Sequence, residues 1–355
     1  MVIDFSGVFR GRSVAVTGDT GFKGSWLSAL LLELGAKVHG FALPPEEPQA
    51  HYHRLRLASR LRHTDGDIRD LAALQRFFAA ARPEFVFHLA AQSLVRRSYA
   101  DPKTTFDTNV GGFVNVLECL RASETLKAAV MVTSDKCYLN KEWSWGYREN
   151  DELGGKDPYS ASKAAAELVF KAYHESYFKS AKFGVATARA GNVIGGGDWA
   201  EDRIVPDCIR ALRAGEAIVL RNPASTRPWQ HVLEPLSGYL TLAAALARAP
   251  ATFAGAWNFG PPGDAIRTVE DVARGIVSRW GGGRVTVQPD ANPLHEARLL
   301  HLNCDRARLE LGWAPRWDFD RTVRETADWY KAESDAGDPA EMTLRQIRSY
   351  LGGTP

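Results

Sequence analysis

Cysteine is scarce in this chain of 355 residues, which contains only Cys119, Cys137, Cys208 and Cys304. No two of them have the C-x-x-C spacing. Disulfide-stapled folds and cysteine-rich zinc sites depend on clustered cysteines. We therefore expect reduced, unpaired cysteines and no metal site, as is usual in the cytosol.

The chain also lacks an excess of charge and a long apolar run. Lysine and arginine number 44 against 42 aspartate and glutamate residues, which gives a formal net charge of +2 at pH 7. This balance argues against nucleic-acid or membrane-surface partners attracted by bulk charge. No apolar stretch is long enough to span a bilayer, and Met1–Phe5 lacks the basic and apolar segments of a signal peptide. A cytoplasmic protein is expected.

Short apolar strands alternate with amphipathic helices through the first half of the chain. The predicted strands are 13–17, 37–42, 85–89, 129–132 and 185–188, and the predicted helices are 25–34, 71–81, 108–123 and 158–177. Such alternation predicts an α/β fold, a doubly wound parallel sheet with helices on both faces and right-handed crossovers.

The pattern loosens after about residue 190. Loops are predicted at 195–199, 221–229 and 281–283, and helices at 234–248, 268–280 and 320–332. We expect this half to form a smaller, mixed α/β lobe that closes over the carboxyl edge of the sheet. The predicted division is a large domain over 1–190 with a return segment at about 232–260, and a lobe over 191–231 and 261–355.

A glycine-rich turn follows the first strand and opens the first helix. Glycine there permits a tight turn and close approach to a pyrophosphate, and the helix N-terminus offers amide N–H groups to the phosphates. A glycine triplet alone is a weak sign, but its place between strand and helix favours a dinucleotide site over a merely structural turn. The expected contacts are Gly18, Thr20, Gly21, Phe22, Lys23 and Gly24.

Two further segments are candidates for the same cofactor. Asp67 and Ile68 follow a short strand-like segment and can contact the adenine edge of the cofactor. The sequence favours equally the alternative that Asp67 is an ordinary loop residue. The second segment ends a strand at the sheet edge, where small alanines let the backbone approach the cofactor. It comprises Leu89, Ala90, Ala91 and Gln92. The second strand ends in 42–44 without an acid, so it does not choose between NAD and NADP.

Tyr159 and Lys163 lie four residues apart, which places both side chains on one face of a helix. Asp157 and Pro158 form a good helix start, so the tyrosine belongs to the first turn. A nearby ammonium lowers the pKa of a phenol, which can then act as a base near neutral pH. Ser134, at the end of the preceding strand, can hydrogen-bond the same sugar oxygen.

Together with the glycine turn, this set resembles the extended short-chain dehydrogenase/reductase family over nearly the whole chain. The resemblance implies a Rossmann-type sheet of about seven parallel strands and a lobe that binds a nucleotide sugar. It implies a tightly bound, recycled NAD, with NADP as the open alternative, contacted by Tyr159 and Lys163. It also implies a homodimer or dimer of dimers built through helices near 108–122 and 158–177. Asn109 would orient Lys163 through water.

Longer strings narrow the resemblance to the CDP-glucose 4,6-dehydratases and imply a CDP-hexose substrate. They are Val16–Leu27, Ser134–Tyr138, Trp145–Glu149, Gly191–Trp199 and Arg227–Val232. Asp19 departs from this likeness, in which a histidine is expected. Because Asp19 belongs to the phosphate turn, we expect it to affect the affinity for the cofactor.

The implied reaction oxidises the sugar at C4, removes water across C5 and C6, and reduces C6, so the cofactor is retained. Tyr159 is the predicted base at the 4-hydroxyl. Asp135 is the predicted acid at O6 and must stay protonated. Lys136 either takes the C5 proton as a neutral amine or stabilises the enolate as a cation. An Asp135–Lys136 ion pair outside the chemistry is the third alternative.

A nucleoside diphosphate needs hydrogen-bond donors, and arginine serves best because its guanidinium holds two oxygens. Arg227, in an aromatic loop of the smaller lobe, is the main candidate. Asn192 resembles the family's diphosphate contact, and Asn258 and Arg298 are weaker candidates from the same resemblance. The aromatic segment 143–147 is either a lid or ordinary packing.

Two other functions are alternatives. A nucleotide-sugar 4-epimerase of the same fold needs Ser134, Tyr159 and Lys163 but no acid–base pair at 135–136. A regulator that only binds NAD(H) needs no phenol beside a lysine. The reaction product distinguishes the 4-epimerase from a 4,6-dehydratase, because an epimerase forms no 4-keto-6-deoxy sugar.

Overall fold

The computed structural model describes residues 5–45, 47–262, 266–288 and 299–352. Its strands are β1 (Ser13–Thr17), β2 (Lys37–Ala42), β3 (Arg62–Asp65), β4 (Phe85–His88), β5 (Ala128–Val132), β6 (Gly184–Ala190), β7 (Val193–Ile194), β8 (Ala217–Leu220), β9 (Thr226–Arg227), β10 (Gln230–His231), β11 (Gly255–Phe259), β12 (Arg267–Thr268) and β13 (Arg284–Val287).

The α-helices alternate with the strands in the first half and dominate the end of the chain. They are α1 (Ser6–Phe9), α2 (Phe22–Glu33), α3 (His51–Arg54), α4 (Leu71–Ala81), α5 (Val95–Ala100), α6 (Pro102–Phe106), α7 (Phe113–Arg121), α8 (Pro158–Tyr173), α9 (Ile204–Ala214), α10 (Leu233–Arg248), α11 (Pro250–Phe253), α12 (Val269–Trp280), α13 (Asp305–Glu310), α14 (Phe319–Ser334) and α15 (Pro339–Leu351). Within the described ranges, every helix is too short or too polar to pass through a bilayer.

Seven parallel strands form the central sheet in the order β11-β6-β5-β4-β1-β2-β3. One face packs against α2 and α10, and the other packs against α4, α7 and α8. This confirms the predicted doubly wound α/β sheet of the Rossmann type. The strand order reverses between β1 and β4, and such a switch point is where open α/β sheets bind ligands.

Most predicted elements lie within a few residues of their predicted bounds, but the helix predicted at 108–123 does not. The chain instead forms α6, a π-helical turn at Asp107–Gly112, and then α7. A Cβ at Gly112 would lie 2.6 Å from Ile68 Cδ1, so the turn packs closely on the loop after β3. The helix predicted at 158–177 likewise ends at Tyr173 and continues as a π-helical turn at His174–Phe178.

The second half of the chain adds three two-stranded sheets, β10-β7, β12-β9 and β13-β8. The segment near 232–260 lies on the large sheet, because α10 packs against β5 and β6 and β11 pairs with β6. The last helix, α15, contacts α2 of the first half. The division of the chain into a domain over 1–190 and a lobe stays a prediction.

Glu234 on α10 joins the end of the chain to the sheet, and its removal should destabilise the protein. Its fully buried carboxylate accepts hydrogen bonds from Trp317 N at 2.8 Å, Arg316 N at 3.0 Å and the Tyr350 hydroxyl at 2.6 Å. Glu234→Ala leaves these donors without an acceptor, so we expect the free energy of unfolding in urea to fall by about 2–4 kcal/mol.

The matched control is Glu175→Ala, which removes an exposed carboxylate 2.9 Å from Lys179 Nζ. It should change the unfolding free energy by less than about 0.5 kcal/mol. Equal, small effects of the two substitutions would contradict the role given to Glu234.

Candidate functional site

A cleft of about 1360 Å³ lies at the carboxyl edge of the sheet. The turn after β1, the segments after β4 and β5 and residues from 190 to 229 line it. All the predicted cofactor contacts line this cleft: Gly18, Thr20, Gly21, Phe22, Lys23, Gly24, Asp67, Ile68, Leu89, Ala90, Ala91, Gln92, Tyr159 and Lys163. These distant segments therefore meet at one cleft, and their contacts to a cofactor stay predictions.

The glycine turn has the close packing that a dinucleotide site requires. Gly18 has a φ of +79°, and a Cβ there would lie 2.7 Å from Ala90 N. A Cβ at Gly24 would lie 1.9 Å from the Gly18 carbonyl oxygen. The N-cap of α2 is Gly21, which has no side chain to accept from the first amide groups of the helix. The turn thus fits the pyrophosphate of a dinucleotide held at a helix N-terminus.

Asp19, the unusual residue of this turn, faces β2 and β3 and does not line the cleft. Its Oδ2 lies 2.8 Å from His63 Nδ1, and Gly40 leaves room for the carboxylate, since a Cβ there would lie 2.0 Å from Oδ2. Burial lowers the pKa of His63, but Asp19 and Asp65 outweigh this and raise the pKa above its usual value. An effect of Asp19 on cofactor affinity stays a prediction.

Lys23 is half-buried and lines the cleft. Its Nζ donates to the Tyr239 hydroxyl of α10 at 3.4 Å. Burial, together with the charges of Arg203 and Lys163, lowers the pKa of Lys23 to about 8, against the opposite effect of Asp135. The phosphate turn and the catalytic groups therefore share one electrostatic environment.

Helix α8 holds the tyrosine and lysine as the sequence predicts. Asp157 caps the helix by accepting from Ser160 N at 2.9 Å, and Pro158 occupies its first turn. The backbone N–H of Tyr159 donates to Ser98 Oγ at 3.2 Å, which fixes the start of the helix against α5. The side chains of Tyr159 and Lys163 are both buried.

The acid and amine predicted beside Ser134 form a 3-10 turn directly after β5. Ser134 Oγ caps this turn by accepting from Lys136 N at 3.2 Å, and it donates to Asp135 Oδ1 at 3.0 Å. Asp135 Oδ2 is buried and has no hydrogen-bond partner within the described ranges. Gly191 faces it closely, since a Cβ there would lie 2.8 Å from Oδ2. One oxygen of this carboxyl group is therefore buried without a hydrogen-bond partner among the described residues.

Burial dominates the protonation of the catalytic candidates. It raises the pKa of Tyr159 to about 12, against a hydrogen bond from Ser134 and the charge of Arg203. It lowers the pKa of Lys163 to about 8. It also raises the pKa of Asp135, against the charges of Lys136, Arg227 and Lys23. A protonated Asp135 is the state that an acid requires.

Arg203 is a site residue that the sequence analysis missed. It precedes α9, where Asp198 Oδ2 holds its guanidinium at 2.8 Å and Ser93 Oγ lies 3.4 Å from Nη2. It lines the cleft, and its charge acts on both Tyr159 and Lys23. The sequence signal was an Arg five residues after the Asp of the 195–199 loop, just before an amphipathic helix.

Two predicted residues do not reach the cleft. Asn109 lies behind it, where Nδ2 donates to Ser162 Oγ and to the Gln92 carbonyl, each at 2.9 Å. Its contact to α8 is thus through the neighbour of Lys163, and the water-mediated role stays a prediction. Asn258 is corrected to a structural residue. It is fully buried and its Oδ1 accepts from the Tyr138 hydroxyl at 2.7 Å.

Asn192 and Arg227 also line the cleft. Asn192 follows β6. Arg227 is a buried residue of β9, and its Nη1 donates to the Thr226 carbonyl at 2.8 Å. Both are placed where a diphosphate could meet them, although their ligand roles stay predictions. Arg298 lies outside the described residues.

Within the aromatic segment 143–147, Trp143 and Tyr147 pack against neighbouring rings, whereas Trp145 is 59% exposed. Trp143 contacts Trp145 and Tyr147 with ring centroids 4.9 and 5.1 Å apart, and Tyr147 stacks on Tyr138 at 5.1 Å. The Tyr147 hydroxyl also accepts from Lys141 N at 2.7 Å. None of the segment's residues lines the cleft in the described part of the chain, and the choice between a lid and ordinary packing stays a prediction.

Comparisons with known proteins agree with this geometry. Residues 15–326 match the family described as GDP-mannose 4,6 dehydratase. The chain is 46% identical to the CDP-glucose 4,6-dehydratase of Salmonella typhimurium over 351 residues, which cover 98% of each protein.

Solved structures show the same architecture. The dTDP-glucose 4,6-dehydratase of Streptomyces venezuelae, solved with NAD bound, has a TM-score of 0.77 at 25% identity and covers 92% of this chain and 99% of its own. The NAD complex of the UDP-glucose 4-epimerase of Thermus thermophilus has a TM-score of 0.76 at 24% identity and covers 90% of this chain and 98% of its own. At this identity the likeness supports the fold alone.

Proposed function

This chain belongs to the GDP-mannose 4,6 dehydratase family, and we propose that it converts CDP-glucose to CDP-4-keto-6-deoxyglucose and water. The reaction is a lyase reaction with an internal oxidation and reduction. It oxidises C4, removes water across C5 and C6, and reduces C6, so it consumes no cofactor overall. The 46% identity to a CDP-glucose 4,6-dehydratase over 98% of both chains supports CDP-glucose as the substrate.

The observation that carries this proposal is the unpartnered oxygen of Asp135. A buried carboxyl with raised pKa lies in the cleft between Ser134 and Lys136, beside the phenol of Tyr159. Dehydration needs an acid at O6 in addition to the base at O4, whereas epimerisation at C4 needs only the latter. The second titratable pair at 135–136 therefore favours the dehydratase over the 4-epimerase and over a binding-only regulator.

NAD is the cofactor that this cleft fits. The glycine turn would hold its pyrophosphate, Asp67 and Ile68 its adenine edge, and 89–92 its central part. Tyr159 and Lys163 would meet the nicotinamide end. When bound, NAD accepts the electrons and hydrogen removed from C4 and later returns them to C6.

Tyr159 takes the proton of the 4-hydroxyl as C4 is oxidised. Its burial disfavours the phenolate, so the reaction depends on nearby positive charge to stabilise it: Arg203 supplies this charge in the structure, and Lys163 is assigned the same role from its place one turn further along α8. With substrate bound, the Ser134 hydroxyl would turn from Asp135 Oδ1 and donate its one proton to the same sugar oxygen. The resulting 4-ketone makes the C5 proton acidic.

Asp135 and Lys136 complete the loss of water. As a neutral amine Lys136 removes the C5 proton, and Asp135 protonates the departing 6-hydroxyl. As a cation Lys136 would instead stabilise the enolate, and the C5 proton would then pass to another base. Reprotonation at C5 then ends the sequence. Asn192 and Arg227 hold the diphosphate, with Arg298 as a further donor.

Incubation of the protein with CDP-glucose in heavy water tests the function directly. We expect NMR of the product to show a 4-keto-6-deoxy sugar that carries one deuterium at C5, without net reduction of added NAD. dTDP-glucose and GDP-mannose serve as controls and should turn over at least about 100-fold more slowly. A CDP-galactose product would establish the epimerase instead, and an unchanged sugar with all three substrates would end the proposal.

We also propose that two copies of the chain associate through the segments near 108–122 and 158–177, which contain α7 and α8. Leu168 on α8 is 57% exposed, and Phe106 at the end of α6 and Tyr177 in the turn after α8 are also exposed. Large apolar side chains grouped on neighbouring helices are typical of a subunit interface. A second copy would bury this face by pairing each helix with its symmetry mate.

Leu168→Arg should weaken the dimer at least about tenfold, because a desolvated charge replaces a buried leucine. Light scattering after size-exclusion chromatography, over a range of protein concentrations, measures the change. Leu309→Arg is the control, since Leu309 is exposed on α13, away from these helices. A monomeric wild type, or equal behaviour of the two variants, would contradict this interface.

A further inference from the structure

A buried carboxylate on the catalytic helix has no part in the steps above. Glu167 lies one turn after Lys163 on α8 and is 3% exposed. Its Oε1 accepts from the Thr133 hydroxyl, and its Oε2 accepts from the Thr187 hydroxyl at 2.9 Å and from Arg189 Nη2 at 2.7 Å. The carboxylate thus ties α8 to the ends of β5 and β6.

Arg189 extends this network toward the cleft. Its guanidinium is also buried, and Nη1 donates to the Tyr138 hydroxyl at 2.7 Å and to the Glu149 carbonyl at 3.0 Å. Tyr138 lines the cleft two residues after Lys136. Both ends of the turn that carries Asp135 and Lys136 are therefore attached to the Glu167–Arg189 pair, at Thr133 and at Tyr138.

The negative charge of Glu167 affects the protonation of Lys163, because several other titratable groups face the Lys163 amine. Lys23 and His88 face Lys163 from the glycine turn and from β4, and a positive charge on either opposes an ammonium there. Cys137 faces it from the turn after β5. Burial lowers the pKa of Lys163 to about 8, and the Glu167 carboxylate acts in the opposite direction.

We propose that Glu167 is a positioning residue with two effects: its carboxylate aligns the catalytic helix with the turn at 134–136, and its negative charge keeps Lys163 cationic at working pH. Arg189 holds this carboxylate ionised and in place, because a buried carboxylate without a cation would take up a proton. The consequence for turnover rests on the proposed dehydration, whereas the consequence for the charge of Lys163 does not.

A titration of Lys163 in the cofactor-free protein tests the charge directly. Lysine labelled with ¹³C at Cε reports the protonation of Nζ by NMR, and Lys163→Arg identifies the signal. In Glu167→Gln the titration midpoint of Lys163 should fall by about one pH unit relative to the wild type. Glu175→Gln, which changes an exposed glutamate just beyond α8, should leave the midpoint unchanged.

Glu167→Gln leaves the buried Arg189 without its partner, and this single variant could fail to fold for that reason. A double variant keeps the proposal testable in that case. Glu167→Gln combined with Arg189→Met removes both charges, so it avoids an isolated buried cation. We expect it to fold and still to lower the Lys163 midpoint, though by less than the single variant does. An unchanged midpoint in whichever of these variants folds would overturn the proposal.

The pH dependence of kcat separates this role from mere stabilisation. In Glu167→Gln the alkaline limb of the profile should move to lower pH with the Lys163 midpoint, while KM for CDP-glucose stays within about twofold. A purely structural residue would lower the amount of folded enzyme without moving that limb. If the midpoint moves but the wild type does not turn over CDP-glucose, the proposed function fails and the electrostatic role of Glu167 stands.

Discussion

Tyr159→Phe is expected to lower kcat for dehydration of CDP-glucose about 10³-fold, because it removes the oxygen that takes the 4-hydroxyl proton. The ring itself is 7% exposed and packs in the same place without the hydroxyl. The backbone N–H of Tyr159 still donates to Ser98, so the helix start is kept. Steady-state rates and the melting temperature, measured together, show whether activity falls without loss of the fold.

Tyr173→Phe is the matched control on the same helix. Its hydroxyl donates to Glu118 at 2.8 Å, far from the cleft lining, and we expect kcat to change less than about twofold. If Tyr159→Phe keeps a rate within tenfold of the wild type while folded, Tyr159 is not the base, and the geometry of Ser134 and Lys163 needs another explanation.

Asp135→Asn should lower product formation at least about 100-fold and leave C5 exchange in place. An amide of the same shape cannot protonate the 6-hydroxyl, but oxidation at C4 still makes the C5 proton acidic. In heavy water the recovered CDP-glucose should therefore contain deuterium at C5, while little 4-keto-6-deoxy sugar forms. NMR of the recovered substrate and of the product measures both quantities in one sample.

Lys136→Met gives the complementary result if Lys136 is the C5 base, because exchange and product formation then fall together. Exchange at the wild-type rate in Lys136→Met would remove Lys136 as that base. Asp305→Asn, on exposed α13, controls for a general effect of the amide substitution. Loss of exchange in Asp135→Asn would show that Asp135 acts before water leaves, contrary to its assignment as the acid at O6.

Local sequence signals accounted for the parts of the site that depend on neighbouring residues. The glycine turn lies between an apolar strand and a helix. Asp157 and Pro158 mark the start of α8, where the Asp157 side chain accepts from the backbone N–H of Ser160, three residues later. Because strands in a parallel sheet end at one edge, the order of these motifs also placed Ser134 and Tyr159 in one cleft.

The positions that depended on contacts between distant segments were not predictable in this way. Asn258 is 120 residues from Tyr138, and only the pairing of β11 with β6 brings the two together. Arg203 lies just before α9, and it lines the cleft together with residues from the first half of the chain. The helix expected at 108–123 follows a sound apolar pattern, but the packing of Gly112 on Ile68 accompanies a π-helical turn instead.

The chain's own order of residues determined the α/β class, the dinucleotide turn and the spacing of Tyr159 and Lys163, since each of these arises from periodicity or from neighbours in sequence. Only the folded molecule decided which charges face one another. It paired Asp19 with His63 and Glu167 with Arg189, and it left one oxygen of Asp135 without a partner among the residues that the structure describes. Burial and charge depend on what packs around a group, and that is settled by the meeting of segments far apart in the sequence.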